Sequence, residues 1–346
     1  MWHLQPSCND SERIENIDMN ESAAAASAGP LYGIPGGVSW QARLLNSFLR
    51  HAIKRPIQDG ITPRSARFAI RLLEMITPGP RGAARTHSVD IEGVPCEVVV
   101  PRDPAAPGRV VLYLHGGGFF AHLPRRYKRF ARTLADAMSA TVYLPAYRLA
   151  PEHRFPAATD DCMAVYRKLL ADGCAPGSMC VMGDSAGGNL ALVSLLRARD
   201  EKLPLPCCAI ALSPGADLTF SGASYASNAD ADPFIPAKAL VQLVPLYVDV
   251  DKVTHPYVSP MLGDYTGLPP IRILVGSTEV LLDSSVTTAA SSRRSGVDVS
   301  LQVWRDMPHV FPIFSFLPEG RMAMQDMAGF FDGHAAVPAP SSRDQS

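Results

Sequence analysis

The chain runs to 346 residues, 47% of them apolar and 19% charged, which predicts a sizeable buried core and excludes global disorder. With 32 Lys and Arg against 33 Asp and Glu, its net charge of −1 argues against a nucleic-acid or anionic-membrane partner. No uncharged run approaches the ~18 to 20 residues of a spanning helix, so no integral membrane segment is expected.

Met1 to about Gly37 is rich in Ser, Ala, Asn and Gly without apolar periodicity and reads as a mobile tail, as does 333–346 at the other end. The acids Asp10, Glu12, Glu15, Asp18 and Glu21 stand against Arg13 as the one base. That is unlike a signal or transit peptide and predicts a cytoplasmic protein. Met19 is a candidate true start, because the 18 residues before it resemble nothing structural. Seven cysteines show no C-x-x-C pair and no metal spacing, so they read as buried reduced thiols with no metal or disulfide role.

One unit is expected between the tails, over 38–332. Trp40, Leu44, Leu45, Phe48, Leu49 and Ile53 recur at helical spacing, with Arg43, Arg50 and Lys54 away from the richest face. Thr62 and Pro63 open a second helix carrying Phe68, Leu72, Met75 and Ile76, ended by the run Pro78 to Gly82. Strands follow at Thr86–Glu92, Cys96–Val100, Val110–Leu114 and Thr141–Leu144. Asp160 or Asp161 is expected to cap a helix bearing Met163, Val165, Tyr166, Leu169 and Leu170. Met179–Gly183 reads as a buried strand and Asn189–Leu196 as a helix apolar nearly all round, with further strands at Ala209–Leu212, Ile271–Val275 and Val299–Trp304. Strands interleaved with helices predict an α/β fold, a largely parallel sheet with right-handed crossovers. Ser213 to Ile271 is too long for a simple crossover. Its helix, opened by Pro236 and carrying Leu240, Leu243, Leu246 and Tyr247, would join the first two helices in a cap formed by about 38–80 and 220–250.

Between strand Met179–Gly183 and the next helix lies Gly183-Asp184-Ser185-Ala186-Gly187, a G-x-S-x-G nucleophile elbow that lifts a serine hydroxyl above the sheet edge. A serine needs a base, and the base an orienting acid, in the chain order Ser, acid, His. Of nine histidines, His255, His309 and His334 follow Ser185. His334 falls in the tail reading and His255 in the cap insertion, so His309, just past the last strand, is the expected base. After strand Ile271–Val275 come Glu279 and Asp283. Glu279 is still in the loop and is the expected acid, whereas Asp283 reads as a first-turn helix charge. His115-Gly116-Gly117-Gly118 follows a core strand at once. Its bare backbone amides, with that of Ala186, would hold an oxyanion, and Phe119, Phe120 and Asp184 would wall the pocket.

These residues resemble the hormone-sensitive-lipase-like branch of the α/β-hydrolases, the esterases called family IV. The matching motifs are the His115–Gly118 run, Tyr147 to His153, Phe155-Pro156-Ala157-Ala158, Gly183 to Gly188, Ser213-Pro214 and Met307-Pro308-His309, in order over about 40–332. Many members carry Asp-Pro-Leu at the acid position. Ser277-Thr278-Glu279-Val280 resembles the sub-branch that uses glutamate. The resemblance implies an α/β-hydrolase fold with a mostly parallel eight-stranded sheet, helices on both faces and a helical cap. It implies hydrolysis of a small-molecule ester with a short acyl chain, without a cofactor. Members of the family often pair as homodimers, here through the strand near Val299–Trp304. Within the Tyr147–Ala158 block, Glu152 and His153 are expected to be structural.

Overall fold

In the computed structural model, residues 31–57, 60, 62, 84–102 and 108–336 are described. Met19 and the second helix expected after Thr62 lie outside them. Eight strands form one sheet: β1 (Arg85–Ile91), β2 (Val94–Val100), β3 (Val110–Leu114), β4 (Thr141–Pro145), β5 (Met179–Asp184), β6 (Cys208–Leu212), β7 (Ile271–Gly276) and β8 (Val299–Trp304). Their spatial order is β1-β2-β4-β3-β5-β6-β7-β8. β1 and β2 pair antiparallel, β2 meets β4 antiparallel, and the remaining ladders are parallel. The central strands β3, β5 and β6 are buried along their whole length, which is why they read as continuous apolar runs rather than alternating ones.

Side chains alternate across the sheet. Val111 and Tyr113 enter the core on one face, with α2 (Pro124–Met138) and α7 (Pro318–His334). Leu112 and Leu114 enter the other, with α3 (Ala157–Ala171) and α4 (Ala186–Asp200). A third cluster packs α4 and α6 (Leu282–Arg294) over β6, β7 and β8. His334, read as tail, is the last residue of α7.

Two helices flank the carboxyl ends of the strands. The first, α1 (Trp40–Phe48), starts at Ser39, whose hydroxyl accepts from the Ala42 amide and donates to buried Glu319 of α7. It continues as a π-helical turn over Leu49–Lys54 and a 3₁₀ turn over Arg55–Ile57. The burial reverses part of the expectation for this helix. Trp40, Leu44 and Phe48 are exposed, whereas Leu49, Ile53 and the supposedly outward Lys54 are buried. Lys54 turns inward because its ammonium donates to the carbonyls of Ala229 and Asp232. The second flanking helix, α5 (Ala237–Tyr247), follows Pro236 as expected.

A second correction concerns α3, which begins at Ala157, ahead of both acids proposed to cap it. Asp160 sits in its first turn. Asp161 is buried and receives the Arg148 amide and guanidinium, a tertiary job that local sequence does not reveal. At the sheet edge, Tyr32 bridges β8 through the Val303 carbonyl and the Arg305 amide.

Candidate active site

Ser185 stands where β5 turns into α4, at φ 55° and ψ −120°. A side chain in this left-handed region is strained, and the surroundings must impose it. The Ser185 amide donates to the Leu212 carbonyl at 2.8 Å, and its carbonyl accepts from Gly215 and Asn189, each at 3.0 Å. The turn closes because residue 187 is glycine: a Cβ there would collide with the Leu114 and His115 carbonyls.

The loop after β7 carries Glu279 and the loop after β8 carries His309. Glu279 Oε2 lies 2.7 Å from His309 Nδ1. Oε1 accepts from Ser213 Oγ at 2.7 Å and from the Gly276 amide at 2.6 Å, and Ser213 Oγ in turn accepts from the Val310 amide. Both side chains are buried, Glu279 completely. With Nδ1 bound to the carboxylate, Nε2 is left to accept a proton in the cavity that His309 and Ser185 both line. Burial works to lower the His309 pKa. The hydrogen bond and charge of Glu279, aided by Asp232 and Asp184, outweigh it and leave the imidazole above its ordinary value. Asp283 is elsewhere: it accepts from the Ser224 amide while its own amide donates to Ser224 Oγ.

The glycine loop is held from below. Tyr113 and Tyr127 donate to the two oxygens of Asp184 at 2.7 and 2.8 Å, and the Gly116 amide donates to Asp184 Oδ1 and Tyr127 Oη, each at 2.9 Å. This corrects the expectation for Gly116, whose amide is engaged and cannot serve as an oxyanion donor. It also redefines Asp184, which lines the cavity but directs its oxygens into this anchor. Burial raises the Asp184 pKa, opposed by the two tyrosines and the Gly116 amide. Gly117 takes φ 122°, which only glycine tolerates, and Gly118 follows at 63°. Among the described residues, the amides of Gly117, Gly118 and Ala186 have no hydrogen-bond acceptor, so they are free to bind an oxyanion. Below them the His115 ring stacks on Tyr147 at 4.2 Å, and burial holds its pKa far down, so it is neutral.

The space above Ser185 has two lobes of about 160 and about 80 Å³ that share Gly118, Phe120, Ser185, Ile235, Leu240 and Leu243. His309, Arg126 and Ile53 line the larger lobe; Phe119, Ala186, Phe220, Tyr225 and Tyr247 line the smaller. Phe119 and Phe120 are therefore pocket walls. His255, Glu152 and His153 line neither lobe. Sequence reasoning does not single out Tyr113, Tyr127 or Asp232, and it reaches Ser213 only through the Ser213-Pro214 motif, not as a partner of Glu279. A polar residue inside an apolar strand, as at Tyr113, is the signal that was available. Among the described residues no cluster of His, Cys, Asp and Glu could hold a metal, and no helix is long and apolar enough to cross a membrane.

A family model described as the α/β hydrolase fold matches residues 111–313. An acetyl-hydrolase of Streptomyces hygroscopicus is 40% identical over 225 residues, covering 65% of this chain and 75% of the relative. An esterase of Acinetobacter venetianus is 30% identical over 296 residues, covering 85% and 97%. The crystal structure of an esterase from the bacterial hormone-sensitive lipase family superposes with a TM-score of 0.79 at 33% identity, covering 86% of this chain and 99% of that one.

Proposed function

Because the chain belongs to the hormone-sensitive-lipase-like branch of the α/β-hydrolase family and is a carboxylic ester hydrolase, we propose that it cleaves short-chain acyl esters through Ser185, His309 and Glu279. The observation that carries this reading is the His309–Glu279 contact of 2.7 Å beside a serine held at φ 55° in the same cavity. His309 Nε2 takes the Ser185 proton as Oγ attacks the ester carbonyl. The amides of Gly117, Gly118 and Ala186 hold the oxyanion, each donor worth roughly 3 to 4 kcal/mol in the transition state. His309 then protonates the departing alcohol, and a water activated by the same nitrogen releases the acid. Glu279 fixes the imidazole tautomer and stabilises the imidazolium without taking the proton.

The same chemistry assigns the lobes. The alcohol must leave beside His309, so it occupies the larger lobe, and the acyl chain takes the smaller lobe, which His309 does not line. An apolar lobe of about 80 Å³ favours acyl groups of a few carbons. Ser185→Ala is expected to lose about 10⁴-fold or more in kcat on p-nitrophenyl butyrate with an unchanged circular-dichroism spectrum. Near-wild-type turnover by that variant would refute the assignment.

A further inference from the structure

Among the buried carboxylates that the hydrolytic cycle does not use, Asp232 is the one tied to both the acid's neighbour and the ring over the base. Asp232 is 0% exposed, although ionisable side chains are seldom buried unless something holds them. Its Oδ1 accepts from the amides of Phe234 at 2.8 Å and Ile235 at 2.9 Å, and its Oδ2 from the Val280 amide at 3.0 Å. Val280 directly follows Glu279. The Phe234 ring stacks on the His309 imidazole, with centroids 5.8 Å apart and planes 26° from parallel. On the other side, Lys54 donates to the carbonyls of Asp232 and Ala229, and the Arg50 guanidinium to those of Asp230 and Ala231. One short loop thus ties together the acid's neighbour, the ring over the base and the first flanking helix.

We infer that Asp232 is a positioning residue for His309, fixing Phe234 against the imidazole face and Val280, hence Glu279, behind Nδ1, with Lys54 and Arg50 bracing the loop from the cap. The inference rests on the roles proposed for Ser185, Glu279 and His309. It is a stronger requirement than closing a turn, because the three amides converge on a group that also faces the imidazole electrostatically. The charged groups facing His309 are Glu279 from the loop after β7, Asp184 from the end of β5 and Asp232 from the insertion, and each favours the imidazolium. Lys54 faces Asp232 from the first flanking helix.

Initial rates on p-nitrophenyl butyrate between pH 5 and 9 test this for the wild type, Asp232→Asn and His309→Asn. Asp232→Asn is expected to move the acid limb of kcat/KM to lower pH by about half a unit, since one carboxylate facing the imidazole is lost. At pH 8 its kcat should fall about tenfold through misplacement of the imidazole, with little change in KM. A residue that only closes a turn would lower the melting temperature and leave the limb where it is, so an unmoved limb overturns the inference. If Asp232→Asn does not fold, Lys54→Met loosens the same loop with the carboxylate intact. It should lower kcat at pH 8 at least about threefold by the same misplacement, and an unchanged kcat overturns the inference. His309→Asn separates the two levels. If it turns over as fast as wild type, the underlying hydrolytic reading fails; if it is inactive while the Asp232→Asn limb stays put, only the positioning role falls.

Discussion

Glu279→Gln keeps the shape of the acid and removes its charge. In the native site the carboxylate meets three donors: Gly276 N–H and Ser213 O–H at Oε1, and His309 Nδ1–H at Oε2. The Gly276 amide cannot reorient, so the glutamine must present its oxygen there and its NH₂ to His309. Two donors then oppose each other. The imidazole either shifts or takes the tautomer with its proton on Nε2, where it cannot accept one from Ser185. A loss of about 10³ to 10⁴ in kcat is expected, or about 4 to 5.5 kcal/mol at roughly 1.4 kcal/mol per tenfold. The pH profile gives the sign independently. Activity needs neutral His309, so it rises with pH through the imidazole pKa, which in the wild type lies above the ordinary 6.5 because Glu279 outweighs burial. In the variant that counterweight is gone and burial is opposed only by the weaker influence of Asp232 and Asp184, so the limb of the residual activity moves to lower pH. Stopped-flow and steady-state rates on p-nitrophenyl butyrate measure both quantities. A kcat within tenfold of wild type, or a limb that does not move, would refute the reasoning.

Two further substitutions probe the oxyanion loop and the acyl lobe. Tyr127→Phe removes the hydroxyl that donates to Asp184 and accepts from Gly116. It should cost about 1.5 to 3 kcal/mol in denaturant melts and lower kcat about tenfold with KM little changed; a full-speed variant would disconnect the anchor from the site. Phe220→Ala opens the smaller lobe, and the ratio of kcat/KM for hexanoate over butanoate esters should rise at least about fivefold. An unchanged ratio would place the acyl chain elsewhere.

Much of this architecture was legible because its signals are local. The buried strands are short apolar runs, the elbow is five consecutive residues, and His309 and Glu279 each follow a strand end by a few positions. What stayed hidden depends on contacts between distant segments. Trp40, Leu44 and Phe48 share helical spacing with buried Leu49, yet which side faces the core is set by Glu319 holding Ser39 and by the carbonyls that draw Lys54 inward. Asp161 stands where a helix cap is expected, but Arg148 claims its carboxylate from the loop after β4. Gly116 belonged to a run of three equivalent glycines, and Asp184, 68 positions further on, is what engages its amide. Asp232 lies in the insertion ahead of its periodic helix, where no local pattern marks a carboxylate as buried.

The central claim is that Ser185 is a nucleophile activated by His309. It is tested most directly by treating the protein with a fluorophosphonate and mapping the adduct by mass spectrometry of its peptides. The account predicts one adduct per chain, on Ser185, and none on the same timescale in His309→Asn. An adduct on another residue, or an unlabelled Ser185 in the folded wild type, would contradict it.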